Sequence, residues 1–137
     1  GLDASLELEK DLALVMDIHH HWIRDEEYID ANDDRVKRVI ASWRGQRPSM
    51  HYSYSRDEHL APAGLGNKTH TEMHDIKMLL ERGCKKQKLR AHSDLLPNAK
   101  VNDWALSFGE HFDIQTEAKG KNIAAEQLYR QHLKNSI

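Results

Sequence analysis

The first twenty-five residues carry the pattern that most limits what this chain can fold into. Leu8, Leu12, Val15, His19 and Trp22 recur at steps of four, three, four and three, the spacing that aligns side chains along one face of an α-helix. Asp3 or Ser5 stands where a side chain can cap such a helix, and the acids of its early turns suit the positive end of the helix dipole. The stripe predicts a helix from about Ser5 to about Asp25, buried along that face against other helices.

The same period returns along the chain. A second helix is predicted from near Asn32, with Asp33 and Asp34 in its first turn, Val36, Val39, Ile40 and Trp43 on one face, and Gly45 and Pro48 to end it. Thr69-His70-Thr71-Glu72 fits a capping box for a third helix, whose apolar residues are Met73, Ile76, Leu79 and Leu80 and whose natural C′ residue is Gly83. A short basic helix from Lys85 to His92 precedes Pro97. Val101, Trp104, Ala105, Phe108 and Phe112 suit a fourth major helix, and NIAAEQLYRQHLKN a closing one with Ile123, Ala124, Leu128 and Leu133 inward. Residues 46–67 hold two prolines and two glycines and read as a long polar loop. Met50-His51-Tyr52-Ser53-Tyr54 alternates as a short strand does, but no partner strand stands out. The expectation is an all-α fold: a single domain over residues 1–137, a compact bundle of five or six helices with one long loop at about 46–67.

Composition excludes some classes. Cys84 is the single cysteine, so no internal disulfide forms and a reducing, cytoplasmic setting is expected. No apolar run approaches the roughly 18 residues of a membrane span, and no signal-peptide pattern opens the chain.

Charge is segregated, although the net charge is −2. Residues 1–34 carry eleven acids against Lys10 and Arg24. Residues 35–56 carry six Lys or Arg and no acid, and residues 82–100 carry six against Asp94 alone. Such blocks permit one positive face, or an acidic block folded onto a basic one. In the first basic segment Arg38, Arg44 and Arg47 are candidates to hold phosphate, with Tyr52 and Tyr54 as candidates to stack on unpaired bases. In the second, Lys85, Lys86, Lys88 and Arg90 follow Gly83 in a helix-turn-helix-like pattern over residues 75–94. Arg82 and His92 fall where that pattern wants apolar residues.

Ten histidines raise the question of a metal. His70 and His74 share a helix face by their spacing, as do Asp17 and His21, and the four could converge if those helices pack together. An HExxH arrangement is absent, and His19-His20-His21 fans around a helix too widely to act as one cluster. No glycine loop, nucleophile motif or paired carboxylate supports catalysis, so no catalytic residue, metal ligand or cofactor is assigned. The functional expectation is a small regulatory nucleic-acid-binding protein, acting on DNA rather than RNA through its two basic segments. The alternatives are a module that binds a protein partner or a second copy of itself and, third, a metal-dependent enzyme.

Overall fold

Residues 7–17 interrupt the helix that the opening stripe predicts. The computed structural model describes residues 1–65, 71–118 and 120–136, with the backbone alone at 121 and 122. In it Leu14, Met16 and Ile18 are buried while Val15 is 55 % exposed, the alternation of a half-buried strand. Helix α1 therefore covers Leu2–Leu6 alone, strand β1 is Met16–Asp17, and helix α2 begins afresh at Ile18 and runs to Asp25. Leu8 and Leu12 lie in the connection between α1 and β1, half exposed. The predicted stripe thus joins two separate elements; His19 and Trp22 of α2 are its buried members.

What holds β1 extended is helix α3, Asp34–Ser42. The Leu14 N–H donates to Ser42 Oγ at 3.0 Å, and the Trp43 indole N–H donates to the Leu14 carbonyl at 2.7 Å. Those two bonds satisfy the backbone of residue 14 from outside any helix.

Two further strands, β2 (Ser49–Tyr52) and β3 (Asp113–Thr116), complete a parallel sheet in the order β1-β2-β3. The fold is therefore mixed α/β, and the expectation of an all-α bundle is corrected. Parallel strands pair across long crossovers, so no hairpin turn advertises them in the sequence. The predicted loop 46–67 holds β2, helix α4 (Asp57–Leu60) and the 3-10 turn Ala61–Ala63.

The remaining helices are α5 (Ile76–Glu81), α6 (Lys86–Leu89), α7 (Ala99–Leu106) and α8 (Lys121–Asn135). Helix α5 is capped by Asp75, whose carboxylate accepts from the Lys77 N–H; the predicted capping box falls partly outside the described residues. Gly83 follows with φ +102°, a left-handed conformation that glycine tolerates best. Helix α6 is one turn long, too short to serve as the recognition helix of a helix-turn-helix. Phe108 and Phe112 lie beyond α7 and are buried there. In α8, Ala124 and Leu128 are buried as expected, but Ile123 and Leu133 are exposed. Gly120, at the start of α8, passes so close to the Asp94 carbonyl that a Cβ would stand 2.5 Å from that oxygen. No helix among the described residues is long and apolar enough to cross a membrane.

Candidate metal centre

The pleat of β2 divides its residues between two faces. Met50 and Tyr52 are fully buried against the core, while Ser49 and His51 turn to the other, half-buried side. Asp17 is the register partner of His51, and His51 that of Gln115, so these side chains share His51's face. Glu117 follows Gln115 by two and stays on it; its N–H donates to the Tyr52 carbonyl at 2.8 Å, carrying the pairing past the end of β3.

Asp17, His51 and Glu117 therefore meet at the carboxyl ends of three adjacent parallel strands, where ligands of open α/β sheets gather. Each offers one ligand atom, and those atoms lie within 4.8 Å of one another. His51 Nδ1 stands 2.7 Å from Glu117 Oε1. Asp17 also caps α2, accepting from the His20 N–H at 2.9 Å, with His20 Nδ1 3.6 Å from its other oxygen. Burial pushes the Asp17 carboxyl above the usual carboxylate range, against the hydrogen bond from the His20 backbone. Two carboxylates and an imidazole are a donor set suited to a divalent cation such as Mn²⁺ or Zn²⁺. A positive ion there would offset the cost of ionised Asp17, so the residues present fit a metal.

His20 stands beside the cluster, and His92 stands beside His20. The His20 and His92 ring centroids are 6.2 Å apart. His92 is placed by an antiparallel bridge to Ser55 and by the bond from the Ser93 N–H to the Tyr54 carbonyl. His19 anchors this corner from within. Its Nδ1 is 2.9 Å from Ser53 Oγ and its Nε2 3.1 Å from Ser55 Oγ. The Ser55 hydroxyl donates to the Leu89 carbonyl at 2.8 Å, so the Ser55 oxygen accepts from His19 Nε2–H, and His19 Nδ1 accepts from the Ser53 hydroxyl. This arrangement requires the neutral ring, and burial pushes the His19 pKa down to about 3.

The metal ligands suggested by the sequence separate. His21 turns to Asp25 and Glu27, at 3.1 and 2.8 Å. His74 is buried, with Nε2 3.2 Å from the Tyr54 hydroxyl, and His70 lies outside the described residues. Asp17 keeps a candidate role with different partners. The alternation through His51 and the strand-like run before Glu117 are the sequence signals that could have found the other two.

The nucleic-acid candidates divide as well. Tyr52 and Tyr54 are buried, their hydroxyls bonded to Asn102 Oδ1 at 2.7 Å and to Asn98 Nδ2 at 3.2 Å, so the stacking expectation is corrected. They lie in or just past the central strand, not on a mobile loop. Arg38 is bound by both oxygens of Glu9, and Arg44 by the Lys10 carbonyl. Arg47 reaches Asp113 and the carbonyls of Gly109, Glu110 and Phe112. Lys86 pairs with Glu26 at 3.2 Å. Lys85, Lys88 and Arg90 are exposed and make no side-chain bond to any described residue.

These features define a class: an α/β chain with a candidate metal centre at the carboxyl ends of its strands and exposed cations that are unpaired among the described residues. Residues 5–136 match the family model of the UV-endonuclease UvdE, and the chain belongs to that family. No curated protein and no solved structure matches it. The family match points to a DNA repair nuclease and overturns the expectation of a regulatory DNA-binding protein, while a DNA partner fits it.

Proposed function

We propose that this chain forms the metal centre of an endonuclease that cuts ultraviolet-damaged DNA, with Asp17, His51 and Glu117 holding a divalent cation. The observation that carries the reading is the convergence of those three donors at neighbouring strand ends; the family supports the substrate. A bound divalent cation supplies Lewis-acid stabilisation of the charge that develops on a phosphodiester. The chain's own residues prepare the place. The sheet register fixes His51 opposite Asp17, and the Glu117 N–H bond to the Tyr52 carbonyl holds its carboxylate within reach. His51 Nδ1 and Glu117 Oε1 already stand 2.7 Å apart, and because metal ligands bind deprotonated, metal uptake should weaken in acid. His20, 3.6 Å from Asp17, is the imidazole placed to add a donor or move a proton to a leaving oxygen, with His92 behind it.

The test titrates Mn²⁺ into the chain while following the melting temperature, and scores nicking of ultraviolet-irradiated plasmid in parallel. A site occupied in the folded state alone must raise the melting temperature saturably. Asp17→Asn and His51→Ala should abolish both the rise and the nicking. Asparagine can still cap α2, so a folded but metal-blind Asp17→Asn variant is the informative one. Nicking that survives EDTA and both substitutions would sink the reading.

A further inference from the structure

A cavity of about 360 Å³ opens beside the candidate metal centre, with Asp17 and His20 in its wall. Asp17, which caps α2, and His20, His21, Arg24 and Asp25 of α2, at steps of three, one, three and one, all line this space. The centre lies at the amino end of α2 and Arg24 near its carboxyl end. Arg90 enters the wall from the second basic segment.

Arginines beside carboxylates ordinarily pair with them. Here the acids of the cavity do not pair with the arginines: Asp17 accepts from the His20 N–H at 2.9 Å, and Asp25 lies 3.1 Å from His21 Nδ1. The side chains of Arg24 and Arg90 make no hydrogen bond or ion pair with any described residue. Arg90 is nonetheless fixed at its backbone. Leu89 before it is fully buried, with its carbonyl held by Ser55, and His92 beyond it is bridged to Ser55. A guanidinium on an immobilised backbone, next to metal-type donors and free of an acid, suits the planar bidentate grip of a phosphate.

We infer that this cavity seats a DNA backbone phosphate, gripped by Arg90 and Arg24, beside the metal centre; the inference rests on the endonuclease reading above. The volume falls within the range of small-molecule sites. Phosphate held here by the two arginines lies next to Asp17 and His20. The strand is then positioned by residues that are not themselves metal donors.

The test measures binding of a fluorescein-labelled duplex oligonucleotide by anisotropy, in EDTA so that cleavage is silent, from about 50 to about 200 mM salt. Arg90→Gln and Arg24→Gln should each weaken binding roughly tenfold, the size expected for a lost charged hydrogen bond. Each should also flatten the slope of log affinity against log salt by about 0.9. Both variants should melt and take up Mn²⁺ like the parent chain. Arg90→Lys should restore the slope but not the full affinity, because a lysine is a point charge. Lys77→Gln removes one exposed charge outside the cavity and sets the background. Arg90→Gln that binds no worse than Lys77→Gln would overturn the inference and leave the metal centre intact. Failure of the parent chain to take up Mn²⁺ would instead remove the endonuclease reading, with the arginine result still readable as DNA binding.

Discussion

The two basic segments look alike in sequence and are held in opposite ways. In residues 35–56 the cations do the holding. Arg35 pairs with Glu27 at 2.6 Å and Asp33 at 3.0 Å, Arg38 with Glu9 at 2.7 Å, and Arg47 with Asp113 at 2.7 Å. In residues 82–100 the backbone and apolar side chains do it. Cys84, Leu89 and Leu96 are buried, and the bonds from Ser55 to Leu89 and from Ser93 to Tyr54 pin the chain. Lys85, Lys88 and Arg90 are left unpaired among the described residues. The difference teaches that a charge run has no meaning until its partners are known. An arginine spent on carbonyls is part of the fold, whereas a cation on a rigid, otherwise anchored segment is available to a ligand.

The largest effect should come from breaking the apolar anchor of the second segment. Leu89→Ala removes a fully buried side chain and should cost about 2–5 kcal/mol in urea unfolding. Arg90→Ala, one residue on, should stay within about 0.5 kcal/mol. Equal losses at the two positions would erase the distinction between anchor and free cation.

Acid should loosen the same corner through His19. Its folded pKa of about 3 lies far below the ordinary value of about 6.5, so the unfolded chain takes up that proton first. The stabilisation is complete above about pH 6.5 and is lost as the pH falls toward about 3, at up to about 1.4 kcal/mol per pH unit. Asp17 runs the other way, because its carboxyl is raised in the fold, and Glu9, Glu27 and Asp33, whose carboxyls are lowered by their partners, add losses at lower pH. The comparison that isolates His19 is the slope of unfolding free energy between about pH 6.5 and 5. It should be shallower in His19→Asn than in the parent chain; identical slopes would mean that the ring is not held neutral between its two serines.

Third in size is the clamp at the first segment. Arg47 is half exposed, and its four partners tie the approach to β2 to the approach to β3. Arg47→Ala should cost about 1–2 kcal/mol, charged hydrogen bonds discounted for solvent screening. Arg47→Lys should recover little, since an ammonium cannot span those carbonyls. A neutral Arg47→Ala would return this residue to the pool of phosphate candidates.

Legibility in the sequence follows from how far apart the determining residues lie. Helix α3 was readable because its acidic first turn, its apolar face at Val36 and Val39 and its glycine stop all fall within about fifteen residues. Helix α8 was readable from its uninterrupted period, although the exposure of Ile123 depends on what packs nearby. The sheet was not readable. Strand β1 is two residues long, its alternation is masked by a helical spacing that runs through it, and its partners come from distant parts of the chain. The candidate site shared that fate. Asp17 stood out, but a helical reading paired it with His21 four residues on; parallel register pairs it with His51. Glu117 gains meaning only from the strand before it, and that strand only from β2. The fan of His19, His20 and His21 was legible, because three consecutive helical residues must diverge, and they face serines, Asp17 and the Asp25–Glu27 pair.

The smallest effect on stability belongs to the lysines of the second segment, and it sharpens the comparison most directly. Lys88 is exposed and unpaired among the described residues, so Lys88→Ala should change the unfolding free energy by less than about 0.5 kcal/mol. Lys86→Ala removes a pair with Glu26 in which both side chains are about one-third exposed, and it should also cost little. Their effects on DNA should differ. If Lys88 contributes a phosphate contact, its loss flattens the salt slope by about 0.9 for duplex DNA and weakens all sequences alike. Lys86, already neutralised by Glu26, should move the slope less. Anisotropy on two unrelated duplexes decides the matter. A larger slope change at Lys86 than at Lys88 would mean that the Glu26 pair opens on binding, and the segment would then be held by its charges after all.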